Sequence, residues 1–175
     1  MKTFAFLAAA LVTAMAAQAG ELPAPIAQAA GGQMQCYQPN PATKSCQSLA
    51  GYRAGANGAI ENTAVVMIAP KPLTIMETVT PVEIKNGQVC GKSQAQDITT
   101  AKLTMDGKPV EGPQADAMRQ RIGAAFAPML GHEICTAYVP DGDGFIGKAT
   151  DNGAPMSVSL KVIWVSPGDG YKVGP

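Results

Sequence analysis

The amino-acid sequence predicts a single α+β domain, an antiparallel sheet of about six to eight short strands with one helix packed on a face. Three observations carry that expectation. Strand-length apolar runs stand on both sides of one amphipathic segment, Asn-Gly and Asp-Gly dipeptides fall between such runs, and the connections are short turns. An all-β barrel or sandwich with an accessory helix is the alternative arrangement of the same elements.

Composition sets the frame. The chain has 175 residues, 13 Lys+Arg against 13 Asp+Glu, 46% apolar residues, 19 Gly and 14 Pro. That is one turn-rich domain, too hydrophobic and too weakly charged for a disordered chain. The only arginines are Arg53, Arg119 and Arg121, with no basic stripe for nucleic acid.

Lys2, the apolar run from Phe4 to Val12 and the small residues Ala17-Gln18-Ala19 read as a secretory signal peptide over residues 1–19. The apolar stretch is shorter than the roughly 20 residues that cross a bilayer, and no later segment approaches that length. The first cysteine, Cys36, is too distant for a lipoprotein. Cleavage near Ala19 removes Lys2 from the 13 basic groups, leaving 12 against 13 acidic ones and a formal charge of minus one. Export to the periplasm or beyond follows as the expected localisation. Residues 20–32, rich in Ala and Pro, read as a flexible lead, and 33–175 as the disulfide-stapled domain.

In an oxidising compartment Cys36, Cys46, Cys90 and Cys135 are expected to form two disulfides. Cys36 with Cys46 and Cys90 with Cys135 is the favoured pairing, because residues 37–45 form a turn-rich loop whose ends can meet. The other two connectivities stay open at this stage. No Cys-x-x-Cys occurs and only one His is present, which argues against thiol redox chemistry and metal binding.

The elements follow in order. Leu49 to Ala54 is a weak strand ending at Gly55-Ala56-Asn57-Gly58, and Ala64 to Ile68 is an apolar run of strand length. Leu73, Ile75 and Val79 alternate with Thr74, Thr78 and Thr80. Pro81 removes a ladder donor, so a bend or an edge is expected there, with a bulge shifting the register toward Val82 and Ile84. Asn86-Gly87 and Asp106-Gly107 are expected hairpin turns. The helix starts after Gly112 with Pro113 in its first turn, places Met118, Ile122, Ala125, Phe126 and Met129 on one face, and ends near Leu130 with Gly131 as cap. Ile134 to Val139, Phe145 to Ala149 and Met156 to Trp164 are strands, the last with the clearest alternation and with Trp164 in the core. Ser166 to Gly170 then turns the chain toward Tyr171-Lys172-Val173, a short terminal strand.

Few constellations suggest chemistry. His132, with Glu133 beside it and Cys135 three residues on, is the only place where an imidazole-based hydrolase could be built. No Gly-x-Ser-x-Gly elbow and no His-Glu-x-x-His helix accompany it. Asp141-Gly142-Asp143-Gly144, followed by Asp151-Asn152, resembles a calcium loop but departs from the EF-hand pattern at three positions. An ordinary turn explains it better, leaving Asp141 and Asp143 as weak metal candidates. No cofactor loop is present.

The expected function is that of an exported, non-catalytic binding or interaction protein. Its expected partner is another envelope or secreted protein, taken up at an edge near Pro81. Two alternatives are a hydrolase using His132 or unmarked acids, and a small-ligand carrier with Met118, Ile122 and Phe126 as the wall between helix and sheet.

Overall fold

The computed structural model describes residues 22–55 and 58–175. The expected signal peptide over 1–19 lies outside the described residues, as does the centre of the turn after Ala54. In chain order the elements are β1 (Met34–Tyr37), β2 (Ser45–Cys46), β3 (Ser48–Ala54), β4 (Ile60–Pro70), β5 (Leu73–Lys85), β6 (Gln88–Lys92), α1 (Ala95–Thr99), β7 (Lys102–Met105) and β8 (Lys108–Pro109). Then come α2 (Gly112–Phe126), β9 (Glu133–Asp141), β10 (Gly144–Asp151), β11 (Ala154–Val165) and β12 (Lys172–Val173).

The strands do not form an open sheet. Neighbours run β4-β3-β1-β11-β10-β9-β6-β5, and β5 pairs back onto β4, closing an eight-stranded antiparallel barrel. This corrects the expected sheet-plus-helix class in favour of the barrel with an accessory helix. Closure comes from the long β4–β5 hairpin, whose two strands take different outer neighbours, β3 on one side and β6 on the other. Each strand shows the same alternation whether the sheet is open or rolled up, so periodicity alone is silent on this point.

Hairpin chemistry is where it was expected. Asn86 and Gly87 have φ of 51° and 74°, and Asp106 and Gly107 have 48° and 76°, the paired positive values of a two-residue turn. Asn152 and Gly153, at 46° and 83°, make a third such turn between β10 and β11.

β5 is unbroken through Pro81, contrary to the expected bulge; the register shift lies in β4, between Met67 and Ala69. What changes along β5 is its second partner. Thr74–Glu77 pair with β7, whereas Val82–Lys85 pair with β6. Pro81, which lacks an N–H, stands just before the second of these pairings begins.

Helix α2 lies where β5 leaves β6 for β7. Its buried Ala115 and Ile122 pack with Ile98 and Ala101 of the α1 region and with Met76 and Leu103. Phe126, expected in the apolar face, is exposed.

Both favoured disulfides are present, Cys36–Cys46 and Cys90–Cys135, with Cα separations of 5.4 and 4.0 Å. The first is fully buried outside the barrel wall, among Leu49, Val165 and Val173, beneath the parallel β2–β12 pair. The second joins register partners on β6 and β9. Among the described residues no helix is long and apolar enough to cross a membrane.

The Ala/Pro-rich lead corrects another expectation, because it is packed. Leu22, Ile26 and Ala29 are buried, Ile26 completely, against Ala50, Tyr52 and Val89 and beside Ile60, Ile84 and Trp164. A short 3-10 turn, Ala27–Gly31, shapes this plug and ends at Gly32 with φ of 77°. Three apolar side chains at spacings of four and three suffice to seat it. That is a helical interval, but three residues diluted by Pro and Ala are too few to mark an amphipathic helix, so the composition read as linker.

Candidate functional site: the barrel lumen

Cross-strand pairing determines which side chains face inward. Gln35 opposes Ala50 and Trp164, while Tyr37 opposes Ser48 and Val162. The same face continues through Tyr52, Asn62 and Thr80 across β3, β4 and β5. It passes through Val82 and Gly91 to Ile134, and through Val89 to Thr136, with Tyr138 two residues further along β9.

Of these, Tyr37, Tyr52, Asn62, Thr80, Thr136 and Tyr138 line a cavity of about 280 Å³ that is open to solvent. It exists because Ala50, Ala64 and Gly91 occupy wall positions where larger side chains would reach across. At about 30 Å³ per liquid water, that volume matches on the order of nine waters. Lys92, Ser93 and Asp97 also line it. Asp97 is already engaged, its carboxylate accepting from the Gln94 amide at 2.9 Å.

Three phenols meet on one amide in the wall. Gln35 Oε1 accepts from Tyr52 at 2.8 Å, from Tyr138 at 3.0 Å and from Tyr37 at 3.1 Å, and the Tyr37 and Tyr138 oxygens are 2.6 Å apart. Each phenol has one proton and a carbonyl oxygen has two lone pairs. At any moment, therefore, at most two phenols donate to Gln35 in favourable geometry. The remaining proton joins two phenols, most closely placed between Tyr37 and Tyr138.

Burial pushes the Tyr37 and Tyr52 hydroxyls well above the ordinary phenol range. The neighbouring phenols Tyr52 and Tyr138 add to the effect at Tyr37, and Tyr138 does so at Tyr52. Both stay neutral at physiological pH. The folded chain holds protons that the unfolded chain releases above a pKa of about 10, so this contribution is intact below pH ~10 and lost as pH rises beyond it. In a spectrophotometric titration of the four tyrosines, Tyr37 and Tyr52 are expected to ionise only as the protein unfolds. Reversible ionisation of all four in the folded protein would contradict the arrangement.

The residues marked by sequence fall elsewhere. His132 Nδ1 lies 2.8 Å from Asp151 Oδ1, a His–carboxylate pair. No hydroxyl or thiol is hydrogen-bonded to the ring among the described residues. Glu133 turns instead to Lys85 at 2.6 Å, which holds its carboxyl below the ordinary range and raises the Lys85 ammonium. Cys135 is closed in its disulfide. His132, Glu133 and Cys135 thus each take a different partner. Asp141 pairs with Gly144 around a turn made by Gly142 and Asp143, and among the described residues no three His, Cys, Asp or Glu side chains gather as a metal site.

The wall expected at Met118, Ile122 and Phe126 is divided between core and solvent. The phenol cluster and the cavity beside it lie in the lumen instead. Its main polar residues, Gln35, Tyr37, Tyr52 and Tyr138, carry no motif. The available signal was phase, because each alternates with the outward residues of its strand; which phases share one interior is a property of closure. Comparisons with protein-family models, curated proteins and solved structures found no match.

Proposed function

We propose that the protein is an exported, non-catalytic binding protein whose barrel lumen receives a small uncharged molecule bearing hydroxyl or carbonyl groups. The supporting observation is the solvent-open cavity between β3, β4, β5, β6 and β9, whose lining is made mostly of neutral polar and apolar side chains. Asn62, Thr80, Thr136 and the phenols offer hydrogen bonds without a fixed charge, and the tyrosine rings offer flat apolar faces. The two disulfides fit an oxidising compartment, and residues 1–19 supply the export signal for a periplasmic or extracellular location.

The test is a thermal-shift and native mass-spectrometry screen of neutral hydroxylated compounds against the oxidised protein and its Thr136→Trp variant, which fills the lumen. At a ligand concentration 100 times Kd, stabilisation of about 2.7 kcal/mol is expected in the parent. The variant is expected to show none. A shift of equal size in both proteins, or no binder across the panel, would overturn the reading.

A further inference from the structure

β11 is a wall strand with one bare flank. It pairs with β10 at Ala154–Pro155 and at Ser159–Val162, on either side of a register shift, but β1 covers only Val162–Val165 on the other side. At Lys161 the chain after β1 takes over: the Gln38 amide donates to the Lys161 carbonyl at 2.8 Å, and the Lys161 amide donates to Gln38 Oε1 at 3.4 Å. Before that point, residues 154–160 have no partner on this flank among the described residues. Since the Lys161 main-chain groups point toward β1, alternation aims those of Ser159 and Ser157 the same way. Met156, Ser157 and Val158 stand opposite the single residue Ala149 within a continuous strand, and the two extra residues leave Pro155 and Ser159 in the same phase.

We propose that this flank is a self-recognition site, pairing antiparallel with the same flank of a second copy about a two-fold axis at Val158. The segment Met156-Ser157-Val158-Ser159-Leu160 reads almost alike in both directions. Antiparallel pairing centred on Val158 sets Ser157 against Ser159 of the second copy and Met156 against its Leu160. The outward main-chain groups of each Ser157–Ser159 couple then satisfy one another, and the two Val158 residues meet at the closely spaced, non-hydrogen-bonded position.

Two features favour a second copy over a foreign strand and limit the pairing to two chains. Residues 154–160 carry no charge, so like charges do not face each other across the axis, and Val158 is 49% exposed, an apolar side chain that such a contact would cover. Pro155 has no amide to offer and the Lys161 amide is already engaged, so the ladder ends after five residues on each side. An isologous contact of this kind is closed once made. With so short an interface the dimer is weak.

Sedimentation equilibrium of the oxidised protein from micromolar to millimolar concentration is the test, with Ser159→Pro and Val158→Lys as variants. A reversible monomer–dimer equilibrium is expected for the parent. Each variant should weaken it at least about tenfold, with near-ultraviolet dichroism unchanged. Ser159→Pro removes an amide that bonds nothing in the monomer, and Val158→Lys sets two like charges on the axis at an exposed site. A parent that is monomeric throughout, a dimer that survives both substitutions, or assembly beyond two copies would overturn the proposal.

Discussion

Replacing Cys90 and Cys135 together by Ser is expected to lower the unfolding free energy by about 4 kcal/mol, against about 3 kcal/mol for the Cys36/Cys46 pair. The bridges span sequence separations of 45 and 10, and a longer closed loop removes more freedom from the unfolded chain. Their positions in the barrel point the same way. β6 meets β9 at only four register pairs, Val89–Lys92 against Glu133–Thr136. Everything between those strands, including α1, β7, β8 and α2, is an excursion from the wall. Without the bridge, short hydrogen-bonded ladders must hold that excursion's two ends together. Urea unfolding of the oxidised parent and both double variants measures the difference. A larger loss at Cys36/Cys46 would show that native packing around the buried bridge outweighs loop closure.

Ile26→Ala is expected to destabilise the protein by about 3 kcal/mol, within the range for emptying a well-packed apolar site. Ile26→Asp should unseat the plug altogether, because a buried carboxylate there has no cation among the residues that pack on it. Trp164, the only tryptophan, belongs to the same cluster and reports the event. Its emission should shift to the red in Ile26→Asp before global unfolding. Unchanged emission and stability in both variants would mean that residues 22–31 contribute nothing to closing the barrel.

The elements of this fold were largely legible one at a time. Asn86-Gly87 and Asp106-Gly107 turn as their conformational tolerance requires, Pro113 opens its helix, and Val162 and Trp164 alternate in phase with the interior. Closure was not legible, because a strand such as β5 has the same period whether its neighbour is β6, β7 or, across the seam, β4. The site was hidden for the same reason. Tyr37, Tyr52 and Tyr138 are far apart in sequence and become one cluster only when β1, β3 and β9 share an interior. Conversely, His132 and Asp141 drew attention as rare or clustered types, although one pairs with a carboxylate and the other closes a hairpin. The plug was misread because Leu22, Ile26 and Ala29 are diluted by Pro and Ala, whose abundance resembles a linker.

The plug also constrains the order of assembly. It precedes every strand, yet its seat is built from β3, β5, β6 and β11, so a chain delivered N-terminus first presents its stopper before there is a bottle. Leu22 and Ile26 must wait in water until β11 has returned to lie beside β1. The same late strand supplies Trp164 and zips the wall. A nascent chain halted before β11 would hold most of the barrel's residues, but neither its last seam nor a complete place to dock its own beginning.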